Sequence, residues 1–415
     1  MGEAVKNLYV HFPFCRGKCT YCALYSKAGV SPADREAYVN SLTRTISSLF
    51  PLPTPARASA SRTRFARGIP SPSHSPPLLG HPLRGLASLG GYLPSSLSTV
   101  YFGGGSPALC DLRPLFKVLN PLIDKNTEFS VELHPLDVTE ETLQVLKDGG
   151  VNRVSMGLQS LNDDVLKHMR RGYTFNEAER AFHLIKEFFD NAGVDLIIGY
   201  PGDTWGQSPR LQRLADWGLK HCSAYSLILE EKSALFKLTQ TGTVPPPPMG
   251  TGPLKLFSDE EIMDELSFMS HFLSEIGLNR YEISNYSAPG YECRHNMATW
   301  AGEDYYGIGI GAHGRIGLNR TRNWWGQTPS VKLASIFPQW GQSPEMETVS
   351  EEFDFKERKI FSLRTTRGLD AGDCPHWIEK LNRFVEEGLL EKENLVYRLT
   401  ERGFEVCDSI LAELI

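Results

Sequence analysis

The sequence predicts an α/β fold, a partial six-unit (β/α) barrel followed by a smaller C-terminal module. Three observations predict it. Apolar runs that read as buried strands recur at Leu8–Phe12, Thr99–Gly103, Glu128–Leu133, Arg153–Leu158, Val194–Gly199 and Cys222–Leu229. Amphipathic helical stretches separate them, the pattern that gives parallel strands joined by right-handed crossovers. Several strands also end in cysteine, glycine or a polar side chain, and the C-terminal strand ends are where α/β barrels place their chemistry.

The first strand delivers a loop with three cysteines. Ser31-Pro32 then supplies a helix N-cap and a proline at the first helical position, and Tyr38, Val39, Leu42, Ile46 and Leu49 form the apolar stripe. Residues 51–98 interrupt the rhythm. They are rich in Pro, Ser and Gly, contain Arg57, Arg62, Arg64, Arg67 and Arg84, and have no Asp, Glu or Lys, which predicts a solvated, disordered insertion. Helices are expected at Glu140–Lys147 and Asn176–Phe189 between the later strands. The barrel is expected to span residues 1–240. A Pro/Gly-rich linker, Thr241 to Pro253, leads to a helix from Ser258 to Ile276 and a strand Arg280–Ser284 within an extension over 241–350. Residues 351–415 read as helix Phe355–Leu363, helix Trp377–Glu387, hairpin Glu391–Leu399 and helix Glu401–Leu414. That order is similar to a winged-helix module, expected here to act as a lid or docking surface.

At 415 residues with 41% hydrophobic side chains, the chain can bury a large core. Its formal charge of -6 argues against a nucleic-acid partner. The N-terminus has no cationic stretch followed by an apolar run, so a cytoplasmic location is expected.

The chemistry concentrates in Cys15-Arg16-Gly17-Lys18-Cys19-Thr20-Tyr21-Cys22. Three thiols in one short loop suit zinc, copper or an iron–sulfur cluster. A closed zinc site would need a fourth ligand nearby, and Cys110, Cys222, Cys293, Cys374 and Cys407 are scattered singly. Three thiolates on a four-iron cluster would leave one iron open. Tyr101-Phe102-Gly103-Gly104-Gly105-Ser106-Pro107 lets backbone groups approach a ligand closely, and it lacks the Lys-Ser/Thr of a phosphate loop. The following strands are each expected to end in a polar residue, Glu132, Gln159 and Asp195, which could share one polar ligand.

The Cys-x3-Cys-x2-Cys loop resembles that of the radical S-adenosylmethionine (SAM) superfamily, which implies a radical SAM (β/α) barrel. It further implies a [4Fe-4S] cluster on Cys15, Cys19 and Cys22, with SAM contacted by Tyr9, Gly104, Gly105, Ser106, Glu132, Gln159, Asp195 and Arg171, the last through the SAM carboxylate. Five motifs in order narrow the resemblance: Tyr9-x-His11-x-Pro13; Gly103-Gly104-Gly105-Ser106-Pro107; Met156-Gly157-Leu158-Gln159-Ser160; Tyr281-Glu282-Ile283-Ser284-Asn285-Tyr286; and the Gly307–Gly314 run. Together they resemble the oxygen-independent coproporphyrinogen III dehydrogenase family. Two features favour its HemW-type heme chaperone branch. Leu24 stands where the dehydrogenases have a fourth cysteine, and only seven residues precede Leu8. The branch's His-Asn-x-x-x-Trp signature reads His295-Asn296-Met297-Ala298-Thr299-Trp300, so His295, Cys293 and Trp300 are the implied heme candidates. Where relatives have Arg-x-His, this chain has Arg171-Gly172-Tyr173. The implied partners are heme and a heme-acceptor protein, a membrane-associated one included. The runner-up is a radical SAM enzyme acting on a porphyrin, and the sequence leaves open whether the chain is an enzyme.

Overall fold

Six strands expected from the apolar pattern lie side by side and parallel in the computed structural model, which describes residues 4–51, 96–240, 256–322 and 345–414. They are β1 (Asn7–Phe12), β2 (Thr99–Gly104), β3 (Glu128–Leu133), β4 (Arg153–Gln159), β5 (Asn191–Ile198) and β6 (His221–Ser226). Strands β7 (Asn279–Arg280) and β8 (Asn285–Ser287) continue the sheet beyond β6 with antiparallel pairing. On the other side β9 (Tyr305–Ile308) pairs parallel with β1, with Leu8 opposite Tyr306. Strands β10 (His313–Ile316), β11 (Asn319–Arg322) and β12 (Glu345–Thr348) extend that edge with antiparallel pairing. The order is β12-β11-β10-β9-β1-β2-β3-β4-β5-β6-β8-β7, and its two ends do not pair with each other among the described residues. The sheet is therefore the incomplete barrel that the β/α rhythm predicts.

Local signals set the helices. In α1 (Pro32–Leu49) the Ser31 hydroxyl accepts from the Asp34 N–H at 3.3 Å, satisfying a donor that has no partner in the first turn. Helices α2 (Glu140–Asp148), α3 (Asp163–His168), α4 (Phe175–Phe188) and α5 (Asp259–Glu275) follow, α4 and α5 each opened by a reciprocal capping box, Thr174 with Glu177 and Ser258 with Glu261. Val10, Phe12, Phe102, Val131, Met156 and Val194 from the strands pack with Leu42, Ile46 and Phe182 from the helices in one buried core.

Helix α6 (Arg294–Trp300) sits between β8 and β9, and α7 (Glu351–Leu363) starts the C-terminal part. Strands β13 (Leu369–Asp370), β14 (Leu390–Glu393) and β15 (Val396–Leu399) make a separate sheet, ordered β13-β15-β14, with α8 (Ile378–Glu386), α9 (Glu401–Glu405) and α10 (Cys407–Leu414) around a second apolar core that includes Trp377, Leu381, Tyr397 and Leu411. The expected single closing helix Glu401–Leu414 is broken at Val406. The expected strand Arg280–Ser284 also fails as one element. Residues 281–284 leave the sheet because their polar groups find other partners: the Tyr281 hydroxyl meets His221 Nε2 at 2.7 Å, and the Glu282 carboxylate accepts from Asn285 and from Trp300 Nε1. Most of the 51–98 insertion and the Thr241 to Pro253 stretch lie outside the described residues. Among the described residues no helix is long and apolar enough to cross a membrane.

Candidate functional site

A cavity of about 730 Å³ opens at the C-terminal ends of the parallel strands. Cys15, Cys19 and Cys22 line it, and so do Gly104, Gly105, Ser106, Glu132, Gln159, Arg171 and Asp195. Of the residues expected to contact SAM, Tyr9 alone does not reach the wall. It lies beneath, with its ring 6.0 Å from Tyr101 and 6.2 Å from His295. Depth explains this: Tyr9 shares a face with its register partner Tyr101, which does line the cavity, but lies three residues short of the C-terminal end of β1.

The cysteine loop is anchored by its neighbours. The Thr20 N–H donates to the Met169 carbonyl at 3.2 Å, and the Thr20 hydroxyl pairs with the Tyr200 hydroxyl at 2.8 Å. The glycine run is laced to the same loop, since the N–H groups of Gly105 and Ser106 donate to the carbonyls of Phe12 and Phe14 at 2.7 and 2.6 Å. A Cβ on Gly105 would come within 2.2 Å of the Phe14 carbonyl oxygen, and one on Gly104, whose φ is +102°, would enter the His11 ring. These glycines allow the backbone to close against the loop that carries the thiols.

Among the described residues no three His, Cys, Asp or Glu side chains converge where one metal ion could sit. Thiolates of a cubane cluster bind different irons, and Cys15, Cys19 and Cys22 all line one cavity. Soft donors, a loop tied down on both sides and open space in front of it fit the implied group.

Around the rest of the wall, the polar strand residues are held by neighbouring groups, and Asp195, expected at a strand end, lies within β5 with three strand residues after it. Glu132 accepts from the Gly104 N–H at 2.9 Å and from the Tyr101 hydroxyl at 3.0 Å. Burial, followed by the neighbouring Asp195, pushes its carboxyl up to about 7, even though these two donors pull the other way. Asp195 accepts from the Ser155 hydroxyl at 2.8 Å, and burial raises it too. Gln159 sits at an irregularity in the β4–β5 pairing with φ of 71°, and its side chain meets the Tyr225 hydroxyl at 3.3 Å. A non-glycine residue in the left-handed region costs on the order of 1–3 kcal/mol, and such strain clusters at functional sites.

Arg171 is more committed than the sequence suggests. Its Nη2 donates to the Gly157 carbonyl at 2.7 Å, its Nε to the Tyr173 hydroxyl at 3.0 Å, and its Nη1 lies 3.5 Å from Cys19 Sγ. Tyr173, which replaces the histidine of the resembling family, holds that guanidinium and itself donates to the carbonyls of Gly157 and Leu158, each at 2.8 Å.

The three heme candidates separate. Trp300 lines the cavity with Asn296 and Thr299, while Cys293 (0% exposed) and His295 (7% exposed) do not. Both belong to a network below the cavity on the same face of the sheet, toward the N-terminal ends of β2 and β3. The Glu128 carboxylate accepts from the N–H groups of Arg294 and His295 at 2.9 and 3.0 Å, and the Cys293 thiol lies 3.6 Å from it. Thr99 Oγ1 donates to Asn7 Oδ1 at 2.9 Å, so it accepts from His295 Nδ1–H at 2.8 Å. Burial and then Arg153 lower the imidazole to about 3, so it is neutral. The helical phase put His295 and Trp300 on different faces, because residues five apart do not align on an α-helix.

Residues not singled out from the sequence complete the wall, among them Tyr101, Tyr225, Glu282, Asn285 and Arg170. Glu282 and Asn285 lay within a quoted motif and could have been found there. Tyr101 and Tyr225 sit in apolar strand runs where an aromatic reads as core, and Arg170 reads as a surface residue.

The family model of the radical SAM superfamily matches residues 91–215. The chain resembles the solved structure of the radical SAM enzyme coproporphyrinogen III oxidase (HemN) from Escherichia coli with a TM-score of 0.71 and 18% identity, over 99% of this chain and 90% of that one. Its sequence is 28% identical to the heme chaperone HemW of Bacillus subtilis over 436 residues, covering 99% of this chain and 100% of the relative. It is 30% identical to the heme chaperone HemW of Synechocystis sp. over 384 residues, covering 88% of this chain and 80% of the relative. Similarity of that extent, running through barrel and C-terminal module alike, shows that the chain belongs to the heme chaperone HemW family of the radical SAM superfamily.

Proposed function

We propose that this protein binds heme and passes it to an acceptor protein, using a cavity that also holds a [4Fe-4S] cluster and SAM. The observation that carries this reading is the shared cavity: the three thiols, the polar strand residues and the indole of Trp300 all face one space. A four-iron cluster with one open iron supplies a coordination site and a single electron. Cys15, Cys19 and Cys22 would hold it, and Arg171 would present a cation to Cys19.

Glu132 and Asp195 offer carboxylates to the ammonium and ribose hydroxyls of SAM, and Gly104 and Gly105 allow close approach. Trp300 offers a face on which a porphyrin can stack, with its Nε1–H fixed on Glu282 at 2.8 Å. His295 and Cys293, implied as iron ligands, are read here as residues that seat α6 and thereby aim Trp300.

Heme added to the anaerobically reconstituted protein is expected to give a shifted Soret band that Trp300→Ala weakens. Loss of that band in His295→Ala with thermal stability unchanged would make the imidazole a ligand instead. Protoporphyrinogen formed at catalytic turnover from coproporphyrinogen III would replace the chaperone reading by an enzymatic one.

Glu132 gives the site a pH dependence. Its carboxyl is raised from 4.5 to about 7, so the folded protein keeps a proton that the unfolded chain has released. Its contribution to the stability of the unliganded protein therefore falls as pH rises from about 4.5 to about 7. An ammonium ligand needs the ionised form, so SAM affinity is expected to rise about tenfold between roughly pH 5.5 and 7. Equilibrium dialysis over that range checks this, and Glu132→Gln should flatten the profile.

A further inference from the structure

The mouth of the cavity carries features that the cluster and SAM do not use. Leu24, Leu136 and Tyr225 line it and are 55%, 38% and 37% exposed. Exposed apolar side chains gathered around one opening are unfavourable in water unless something covers them. Two of the three are fixed by their own backbone. The Leu24 carbonyl accepts from Lys18 Nζ at 2.6 Å, and the Leu136 carbonyl accepts from Arg16 Nη2 at 3.0 Å.

Arg170 lines the same cavity. It follows α3 in the left-handed conformation, with φ of 61°, and the Arg171 N–H closes the turn on the Leu166 carbonyl at 2.9 Å. That place at a helix end is one glycine fills without strain. An arginine there costs local stability, yet its side chain lines the cavity, exposed, with no hydrogen-bond or ion-pair partner among the described residues. Its neighbour Arg171 is already engaged, so Arg170 is the guanidinium free to meet an incoming carboxylate.

We propose that Leu24, Leu136 and Tyr225 form a platform for the heme macrocycle at the mouth of the cavity, with Arg170 pairing a propionate. This rests on the heme-chaperone reading and deepens it by naming the subsite. A flat apolar ring with carboxylates on one edge matches an apolar rim with a cation at one side. SAM also carries a carboxylate, but it lacks an apolar face large enough to cover the rim. Leu24 has a specific consequence here: the position held by cysteine in the resembling dehydrogenases becomes part of the contact surface.

The test titrates the reconstituted full-length protein with heme and with heme dimethyl ester, which lacks the propionate charges, and separately with SAM. Arg170→Gly relieves the backbone strain, so the variant is expected to fold. It should weaken heme about fivefold, the worth of one exposed ion pair, and leave the ester and SAM unchanged. Leu24→Asn should weaken heme and ester alike, by about fivefold for the loss of a half-buried leucine. Heme affinity unchanged in both variants overturns the proposal while leaving heme binding itself intact. A fall in SAM affinity with Arg170→Gly, heme unaffected, assigns the guanidinium to SAM and overturns it too. Wild-type protein that binds neither porphyrin fails the underlying reading.

Discussion

Replacing Cys15, Cys19 and Cys22 together by alanine is expected to reduce bound iron and acid-labile sulfide after anaerobic reconstitution to background while the fold survives. The thiols sit in a loop outside the apolar core, and each is only half-buried. The loop's position depends on backbone bonds from Thr20, Gly105 and Ser106, none of which involves sulfur. Removing the thiols therefore removes donors without opening a cavity in the core. Cys110→Ser is the control. That thiol is pushed up to about 12 by burial and does not line the cavity, so its loss should leave the iron content unchanged. Metal analysis with visible absorption and circular dichroism reads both. A colourless wild-type protein carrying one zinc per chain would sink the cluster assignment.

Glu128→Ala is expected to be the most damaging single replacement near the cavity, destabilising the protein by about 3–5 kcal/mol, the range for stripping one member from a buried charged group. The carboxylate accepts the N–H groups of Arg294 and His295 at the start of α6, and it neighbours the buried Arg153. Burial opposes the charge of that guanidinium, and Cys293, Tyr101 and Glu128 outweigh the burial, so it stays protonated. Without Glu128, two helix N–H groups lose their acceptor and a buried cation loses one of the groups that offset its burial. Helix α6 carries Trp300, so heme binding should fall with stability. Glu128→Gln keeps an acceptor oxygen and should cost less. Urea unfolding compares the two, and an alanine variant as stable as the wild type would remove Glu128 from this role.

Much of this protein is written locally. The cysteine spacing, the glycine run, and Glu132 and Gln159 at the ends of their strands were legible, because each depends on neighbours a few residues away. Some helix starts were equally plain. Ser31-Pro32 and Ser258 were read as starts and cap their helices within a single turn, whereas the Thr174–Glu177 box, one residue ahead of the expected Asn176 start, was not read. Strand runs of Val, Leu and Ile were read correctly because strands buried on both faces tolerate few polar residues.

Contacts between distant segments were decided elsewhere. Tyr305–Ile308 becomes a seventh parallel strand beside β1, although its glycine gives it a weak strand pattern, because β1 offers an open row of backbone groups there. His295 and Cys293 look like ligands in sequence, yet Thr99 and Glu128, more than 160 positions away, hold them below the cavity. Arg171 and Arg170 are adjacent in sequence and opposite in circumstance. One is fixed on Gly157, Tyr173 and Cys19, and the other is left at the mouth by a left-handed turn. Sequence alone determined which chemistries this protein has available and that they gather at one end of a β/α barrel. Tertiary structure decided which side chains face the cavity, because that depends on strand phase, helix phase and the partners that bury the others.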